Sequence, residues 1–363
     1  MCMNLRVINW YIFKKNTFIR KLILPKFNWR HMFENKKILI TGGTGSLGSA
    51  LTKKLLEDNV NTIRIFSRDE LKQTQMDENL NDSRLRFLIG DIRDKERLEK
   101  ATEGIDIVIH AAALKHVPVI EYNPFEAIKT NVQGAQNVVD AWLKNDVKFA
   151  LAIGTDKAVS PFNTYGATKL LMERLFVSAN YHKGNHETKF SCVRYGNVLG
   201  SRGSIVPKFV DQVKLGKKIT ITDPNMSRFN ITMDQALELI FRAIKNSQGG
   251  DVHVPKLEAY SVGDMKDVIL ELMNSDIEVE KIPVRPGEKY HEILINEHEI
   301  RDTYENQDND YVIYENQLAK DKRVIPKDLE KTSLKDQYSS DKVKTVSKDE
   351  LKQILIKQKL VLK

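Results

Sequence analysis

The sequence predicts an α/β fold in which a doubly wound parallel sheet is followed by a smaller C-terminal domain. Short apolar segments alternate with segments of helical period up to about residue 196. A glycine-rich turn joins the first of these strands to the first helix. The regular alternation weakens beyond that point, which indicates a second, smaller unit interleaved with the end of the first. Together these features are typical of a Rossmann-like fold.

Six strands are predicted in the first part of the chain, over residues 37–41, 62–66, 85–89, 105–109, 149–153 and 190–194. Helical patterns cover 50–56, 94–101, 131–144 and 165–180. Further along, 207–215 and 232–246 are predicted helices, and 251–254 and 277–282 are predicted short strands. From Gln317 onward the chain is rich in lysine, and its clear element is a terminal helix that begins with a capping box from Ser347 to Glu350.

Composition excludes several classes of protein. The 363 residues are 41% hydrophobic and 29% charged, which suits a globular chain with a large and a smaller domain. Only two cysteines occur, Cys2 and Cys192, so we expect no disulfide framework and a reducing, cytoplasmic location. No apolar run reaches the length of about 18 residues that a transmembrane helix needs.

The net charge of +8 is concentrated at the N-terminus. Seven cations and no acid precede Met32, which leaves +1 for the rest of the chain and gives no reason to infer nucleic-acid binding. We interpret residues 1–33, which include Trp10 and Trp29, as a basic N-terminal extension that is disordered or begins at a mis-assigned start. One alternative is weak contact with an anionic membrane surface. A signal or transit peptide is another, although no small-residue cleavage site follows the apolar stretch.

The glycine-rich turn after the first strand predicts a dinucleotide-binding site. Glycines there permit a tight turn, close approach of a pyrophosphate and packing of helix on strand. The helix N-terminus would face the phosphates with unpaired N–H groups and a favourable dipole. The predicted cofactor contacts in this turn are Gly42, Thr44, Gly45, Ser46, Leu47 and Gly48.

The end of the second strand distinguishes NADP from NAD. Ser67 and Arg68 suit a 2′-phosphate, because arginine presents a planar fork of donors, and we therefore predict NADP. Asp69 keeps NAD open as the alternative. Asp91 and Ile92 follow the third strand, where an acid could reach the adenine amino group. The small residues after the fourth strand would let the ribose and phosphates lie against the backbone: Ala111, Ala112 and Ala113.

Two groups of residues predict the chemistry. Tyr165 and Lys169 lie four apart on one helix face, so a tyrosine phenolate could take a hydroxyl proton as hydride leaves the same carbon. Thr155, Asp156 and Lys157 end the fifth strand, at the edge where ligands bind to such sheets. Thr155 can hydrogen-bond the reacting oxygen. The Asp156–Lys157 pair adds an acid and a base that alcohol oxidation does not require; the alternative is a surface ion pair.

The chain resembles the extended short-chain dehydrogenases, specifically the inverting UDP-N-acetylglucosamine 4,6-dehydratases of polysaccharide and pseudaminic-acid biosynthesis. The resemblance covers roughly residues 36 to 345. It rests on TGGTGSLG at 41–48, SRDE at 67–70, HAAALKHVP at 110–118, TDKA at 155–158, RYGNV at 194–198, GSRGS at 200–204, MSRF at 226–229 and RPGEK at 285–289. The N-terminal extension and Asn230, where an aromatic residue is expected, depart from the pattern.

The resemblance implies NADP-dependent dehydration with inversion at C5, giving UDP-2-acetamido-2,6-dideoxy-β-L-arabino-hex-4-ulose for surface glycans or flagellin. Tyr165 would deprotonate the C4 hydroxyl, Lys157 would remove the C5 proton and Asp156 would help to expel the C6 hydroxyl. Retaining dehydratases carry glutamate where this chain has Lys157. A lysine base needs a lowered pKa, which we expect from burial and nearby cations. The resemblance also implies a homo-oligomer, a dimer or hexamer; no metal site is predicted.

The predicted domains are the extension 1–33, an NADP-binding Rossmann domain 34–196, a mainly substrate-binding domain 197–330 interleaved with it, and a C-terminal tail 331–363. Cations are needed for the nucleotide diphosphate and polar groups for sugar hydroxyls. Each of the candidates could instead be an ordinary surface residue, and His116 could be structural: Lys115, His116, Asn197, Arg202, Ser204, Lys208, Arg228, Arg285 and Glu288.

Three other functions remain open from sequence. A nucleotide-sugar C4 epimerase on the same fold needs the tyrosine and lysine but no Asp–Lys pair. A retaining 4,6-dehydratase would dehydrate the sugar without inverting C5. A non-catalytic, cofactor-sensing or scaffold protein is the third, and the intact Tyr165 and Lys169 argue against it.

Overall fold

The computed structural model describes residues 27–314 and 325–361. Its centre is a ten-stranded sheet. The strands of this sheet are β1 (Lys37–Thr41), β2 (Thr62–Ser67), β3 (Leu85–Ile89), β4 (Ile107–His110), β5 (Phe149–Ile153), β6 (Lys189–Val193), β9 (Asp251–Pro255), β13 (Thr303–Glu305), β14 (Asp310–Tyr314) and β15 (Glu330–Lys331). Their order across the sheet is β15-β13-β14-β9-β6-β5-β4-β1-β2-β3. Three two-stranded sheets pair β7 (Ile219–Ile221) with β11 (Val279–Lys281), β8 (Ser227–Phe229) with β10 (Ala259–Ser261), and β12 (Ile293–Ile295) with β16 (Tyr338–Ser339).

The helices are α1 (Ser46–Leu55), α2 (Glu70–Leu80), α3 (Lys95–Thr102), α4 (Val117–Tyr122), α5 (Pro124–Ala127), α6 (Gly134–Lys144), α7 (Thr164–His182), α8 (Ile205–Lys214), α9 (Met233–Asn246), α10 (Val262–Met273) and α11 (Lys348–Lys357). A π-helical segment, Ile128–Gln133, joins α5 to α6, and 3-10 turns cover Asp156–Ala158 and Ile300–Asp302. Among the described residues, no helix has the length and apolar character needed to cross a bilayer.

Strand pairing confirms the predicted fold class. The six predicted strands are present, and β3, β2, β1, β4, β5, β6 and β9 run parallel. Strands β14, β13 and β15 extend this sheet in antiparallel fashion. The chain crosses from β3, at one edge of the sheet, back to β4, in the middle of the sheet. The connections on either side of β1 therefore run in opposite directions and leave a crevice at the carboxyl ends of the parallel strands.

A second, smaller core lies beside the sheet. It is built from α8, α10 and their neighbours, and its buried side chains include Phe209 and Met265. The terminal helix α11 belongs to this core through Leu351 and Leu355, so residues predicted as a tail complete the smaller lobe. At the end of the described chain, Leu360 fills the space beside Gly200, where an added Cβ would lie 2.2 Å from Leu360 Cδ2.

The described part of the N-terminal extension packs against the body. Phe33 is fully buried, and the Trp29 ring lies 5.5 Å from that of Phe241 on α9. The Asp58 carboxylate accepts hydrogen bonds from the backbone N–H groups of His31 and Phe33, at 3.0 and 2.9 Å. Residues 27–33 are therefore part of the folded unit, which corrects the boundary predicted at residue 33. The predictions for Trp10, Cys2 and a membrane-surface anchor fall outside the described residues.

A buried ionic cluster fixes the end of β6. Arg194, the next residue after the strand, is 1% exposed and donates to both Glu173 on α7 and Glu299 after β12. Its guanidinium also donates to the backbone carbonyl of Leu294, at 2.8 Å. The cluster thus holds sheet, helix and the β12 region together immediately before the residues that enter the crevice.

Candidate active site

A cavity of about 870 Å³ occupies the crevice at the carboxyl ends of the parallel strands. It runs from the glycine-rich turn after β1 to the start of α7. All predicted cofactor contacts line it: Gly42, Thr44, Gly45, Ser46, Leu47, Gly48, Ser67, Arg68, Asp91, Ile92, Ala111, Ala112, Ala113, Tyr165 and Lys169.

The glycine turn has the geometry that a dinucleotide pyrophosphate requires. Gly42 has a φ of 68°, and a Cβ there would lie 2.8 Å from the Ala112 backbone. A Cβ on Gly48 would lie 2.5 Å from the carbonyl oxygen of Gly43. Gly45 caps α1 without a side-chain hydrogen bond, so the first-turn N–H groups are left for an anionic ligand.

The adenosine end of the cavity carries several cations. Arg68 Nη1 lies 3.4 Å from Asp91 Oδ2, and Arg93 holds the same carboxylate at 2.8 Å. Lys72 also lines the cavity and pairs with Asp69. Asp69 accepts the backbone N–H of Lys72 at 3.0 Å and so caps α2. The second strand therefore ends with a half-exposed guanidinium beside an acid that is already engaged in capping.

The π-helical segment before α6 forms one wall. Thr130 lines the cavity, and its buried hydroxyl has no hydrogen-bond partner within the described ranges. The side chain of Asn131 bonds both the N–H and the carbonyl of Leu114, at 2.8 and 2.9 Å. It thereby holds the segment that carries the three alanines. Sequence reasoning missed Asn131, because only the folded chain brings it to the loop after β4.

Tyr165 and Lys169 both line the cavity, four residues apart on α7. Asn163 caps α7 by accepting from the Gly166 N–H at 2.7 Å, which places Tyr165 on the first turn. Burial raises the pKa of Tyr165 to about 12, although the charge of Lys157 and a hydrogen bond with Thr155 act in the opposite direction. Burial lowers the pKa of Lys169 to about 8, and its Nζ donates to the Ile153 carbonyl at 2.6 Å. The resting tyrosine is therefore a phenol.

Asp156 and Lys157 lie in a buried polar cluster. Thr155 caps the 3-10 turn that carries them. Lys157 Nζ lies 3.0 Å from Asp156 Oδ1 and 3.2 Å from Asn197 Oδ1. A third partner is Glu292 Oε1, at 3.4 Å. The side chain of Lys157 is 18% exposed and that of Asp156 is 1% exposed. The pair is therefore not a surface ion pair, which was the alternative interpretation of these two residues.

The charges in this cluster correct one prediction. Burial alone would lower the pKa of Lys157, but the carboxylates of Asp156 and Glu292 outweigh it and raise that pKa. Burial raises the pKa of Asp156, although the charge of Lys157 opposes this. Lys157 is therefore an ammonium in this structure, whereas the sequence predicted a lysine with a lowered pKa. Burial and a nearby cation, Arg228, act in the expected direction, but the second carboxylate that the fold supplies, Glu292, helps Asp156 to outweigh them.

Glu292 is the main functional candidate that sequence reasoning did not single out. It is 3% exposed and lies 3.7 Å from Arg228 Nε as well as beside Lys157. The signal was present, because Glu292 ends the RPGEKYHE run at 285–292 that contributes to the family resemblance. Nothing local distinguishes it from the neighbouring Glu288, whose carboxylate lies 3.5 Å from Arg228 Nη2.

The predicted substrate contacts fall into three groups. Lys115, Asn197 and Arg202 line the cavity, and Arg202 Nη2 donates to the Thr44 carbonyl at 2.7 Å. Arg228 and Glu288 belong to the buried cluster. Lys208 donates to Thr220 Oγ1 at 2.6 Å, and its pKa is lowered by burial and by the nearby charge of Arg285.

Two further candidates lie elsewhere. His116 is exposed at the start of α4, and Ser204 precedes α8; neither lines the cavity. Asn230, the departure noted from sequence, is buried next to β8, and its Oδ1 has no partner among the described residues. The hydroxyl of Tyr260, on the paired strand β10, is likewise buried without a partner in the described part of the chain.

Comparison with known proteins places this geometry in context. A family model described as "polysaccharide biosynthesis protein" matches residues 38–314. The inverting UDP-N-acetylglucosamine 4,6-dehydratase of Campylobacter jejuni is 49% identical over 276 residues, covering 76% of this chain and 81% of that one. A UDP-glucose 4-epimerase of Rickettsia rickettsii is 37% identical over 329 residues, covering 90% and 96%. The X-ray structure of Pen from Bacillus thuringiensis superposes with a TM-score of 0.85 at 40% identity, covering 90% and 99%.

Proposed function

The chain belongs to the polysaccharide biosynthesis protein family, and from that premise we propose that it is an NADP-dependent UDP-N-acetylglucosamine 4,6-dehydratase that inverts C5. The observation that carries the proposal is the buried Asp156–Lys157 pair beside Tyr165 at the carboxyl end of β5. Oxidation and reduction at one carbon need, besides the dinucleotide, only one group that exchanges the hydroxyl proton, and a tyrosine is sufficient for this. Dehydration also needs a base for C5 and an acid for the C6 hydroxyl, and this pair can supply both.

The residues around the cavity suit a nicotinamide dinucleotide. The uncapped start of α1 and the close approaches at Gly42 and Gly48 fit a pyrophosphate. Arg68 would hold the 2′-phosphate of NADP, because its guanidinium is half-exposed on the cavity wall. Asp69 is engaged in capping α2, which weakens the case for a ribose contact and hence for NAD. When bound, NADP supplies a hydride acceptor at C4 and, once reduced, a hydride donor at C6.

Tyr165 would remove the proton of the C4 hydroxyl. Its resting pKa of about 12 already includes the lowering effect of the Lys157 charge and is too high for a base near neutral pH. Further positive charge near the phenol is therefore needed, and the nicotinamide ring of NADP would supply it when bound. Thr155 interacts with the tyrosine hydroxyl and lines the same cavity, which supports a role for it beside the reacting oxygen. The resulting C4 ketone makes the C5 proton acidic.

Lys157 and Asp156 would then carry out the elimination. Lys157 accepts the C5 proton, and Asp156 donates a proton to the departing C6 hydroxyl, which leaves as water. Inversion requires a solvent-derived proton to be delivered to C5 from the face opposite the one that lost its proton. Lys157 stands where retaining dehydratases carry a glutamate, and this substitution supports inversion through the resemblance.

The proposal is tested by incubating the protein with UDP-N-acetylglucosamine in D₂O and following the sugar by NMR. The expected product is a 4-keto-6-deoxy sugar with deuterium at C5 and the inverted configuration. Lys157→Met should lose at least about 100-fold in C5 exchange, because a positioned base contributes about 10²–10⁴-fold. Failure to convert any UDP-sugar would refute the assignment.

The C4 epimerase is the second candidate, favoured by the 37% identity to the Rickettsia enzyme over 96% of its length. It predicts a C4-inverted sugar that keeps its C6 hydroxyl and takes up no deuterium at C5. Full turnover by Lys157→Met would favour this reaction. The UDP-sugar partner, a homo-oligomer and a cytoplasmic location remain predictions from the sequence.

A further inference from the structure

We propose that Glu292 is a positioning residue that holds the Lys157 amine beside Asp156 and determines where the single proton of that pair lies. The inference rests on the proposed dehydratase function and assigns a third member to its acid–base group. Glu292 contributes no atom to the bonds that change. It acts on them through Lys157.

The location of Glu292 is set by the fold. Its backbone N–H donates to Ser340 Oγ at 2.9 Å, and its carbonyl accepts from the Ser340 N–H at 2.8 Å. The side chain is held on the other side by Lys157 at 3.4 Å and by Arg228 at 3.7 Å. A carboxylate placed by backbone bonds and two cations is a fixed charge, so it can orient a flexible lysine.

Lys157 is held between two carboxylates and an amide. Asp156 Oδ1 lies 3.0 Å from its Nζ, Asn197 Oδ1 lies 3.2 Å away, and Glu292 Oε1 lies 3.4 Å away. Asp156 Oδ2 and Glu292 Oε2 are both buried without a hydrogen-bond partner among the described residues. Asp156 Oδ2 faces Gly196 on the cavity wall, where an added Cβ would lie 3.1 Å away. One unpartnered buried oxygen on each carboxylate thus accompanies the amine, so neither carboxylate is satisfied by groups other than the cations beside it.

The chemistry requires the Asp156–Lys157 pair to hold one proton. At rest the proton is on Lys157, and transfer across the 3.0 Å contact gives a neutral amine and a carboxylic acid. The amine then takes the C5 proton, the C5–H electrons form the C5–C6 double bond, and the C6–O bond breaks. The hydroxyl takes the proton of Asp156 and leaves as water. The pair returns to ammonium and carboxylate, so protons and electrons balance.

Glu292 sets the pH range over which the pair holds one proton. A negative charge beside Lys157 favours protonation, so its removal should lower both apparent pKa values of the pair. The charged and titratable groups that interact with Lys157 come from several neighbouring elements: Asp156, Glu292, Arg228, Tyr165, Tyr260, Lys289 and Lys115. Of these groups, Asp156 and Glu292 carry carboxylates. Asp156 belongs to the reacting pair, so Glu292 is the carboxylate that can act on the pair from outside it.

The test compares Glu292→Gln, which removes the charge but keeps the shape, with Glu292→Asp, which keeps the charge. We expect the bell-shaped pH profile of kcat for Glu292→Gln to move to lower pH by about 1–3 units on both limbs. Deuterium exchange at C5 at neutral pH should fall by about 10- to 100-fold, because the amine is no longer held in place. Reduction of bound NADP by the sugar, which reports the Tyr165 step, should be far less affected. Glu292→Asp should restore the wild-type pH range at a lower rate.

Glu299→Gln is the matched control, because it removes a buried carboxylate from an arginine partner and has no contact with Lys157. It should lose stability and leave the pH limbs in place. A Glu292→Gln profile that coincides with the wild type would overturn the inference, and so would an equal shift in Glu299→Gln. If Glu292→Gln does not fold, a displaced profile in Glu292→Asp would overturn the inference, and a wild-type pH range with slower C5 exchange would support it. Absence of dehydration by the wild-type protein would instead refute the proposed function.

Discussion

Replacing Arg194 with methionine should destabilise the protein strongly, because one guanidinium satisfies two buried carboxylates. The side chain donates to Glu173, Glu299 and the Leu294 carbonyl. Removal of one partner from a buried ion pair costs about 3–5 kcal/mol. Because methionine deprives two buried carboxylates of the guanidinium that they share, we expect a value of about 5 kcal/mol.

The loss should depend on pH with a definite sign. In the native protein burial would raise the pKa of Glu299, but Arg194 outweighs it and lowers that pKa. This contribution to stability is present above the ordinary glutamate pKa and disappears as pH falls through the lowered value. In Arg194→Met, burial and the neighbouring carboxylate should raise the pKa of one of the two glutamates, so that glutamate takes up a proton more readily. The difference in the free energy of unfolding between Arg194→Met and the wild type should therefore become smaller as the pH is lowered from 7 toward the ordinary glutamate pKa of about 4.3.

Urea unfolding followed by circular dichroism at neutral and mildly acidic pH measures both effects. Arg301→Met is the matched control, because Arg301 pairs with Asp302 at the surface, where its side chain is 65% exposed. It should leave the unfolding midpoint unchanged. A loss below about 1 kcal/mol in Arg194→Met, or a gap that does not narrow in acid, would contradict this account of the cluster.

Three further predictions concern the cofactor site and the N-terminus. Gly48→Ala should abolish NADPH binding in a fluorescence titration, since its Cβ would meet the Gly43 carbonyl at 2.5 Å; wild-type affinity would show that the turn can relax. Arg68→Ala should weaken NADP binding by about 10- to 100-fold and leave NAD unchanged. Arg93→Ala is the control, because Arg93 also pairs with Asp91 but does not line the cavity. If Arg68→Ala weakened the binding of NADP and NAD equally, a contact between Arg68 and the 2′-phosphate would be excluded. Phe33→Ala should lower the free energy of unfolding in urea by about 3–5 kcal/mol, whereas substitution of the exposed Arg30 by alanine should leave it unchanged. Equal unfolding midpoints for the two variants would mean that residues 27–33 do not contribute to stability.

Local patterns were sufficient to predict the sheet and the glycine turn. The strand at residues 37–41, the turn after it and the start of α7 each depend on neighbours within a few positions, so periodicity and glycine spacing identify them. The alternation weakens after residue 196 because the chain there supplies strands to the large sheet and helices to the smaller core in turn.

Contacts between distant parts of the chain could not be predicted. The charge state of Lys157 depends on Glu292, which is brought beside it by the hydrogen bonds of Ser340. Sequence reasoning saw a lysine next to one aspartate and expected cations to lower its pKa, and a second carboxylate reverses the direction. Phe33 was likewise assigned to an extension, since its partner Phe241 lies on a helix 208 residues further along.

The position of α11 in the smaller core has a consequence for how the protein is made. Helices α8 and α10 emerge from the ribosome well before α11, so the apolar face that Leu351 and Leu355 cover stays open until α11 has emerged. Leu360 then packs on Gly200, two residues before Arg202 on the cavity wall. Removal of residues 348–361 would therefore disturb the lobe that faces the cofactor cleft.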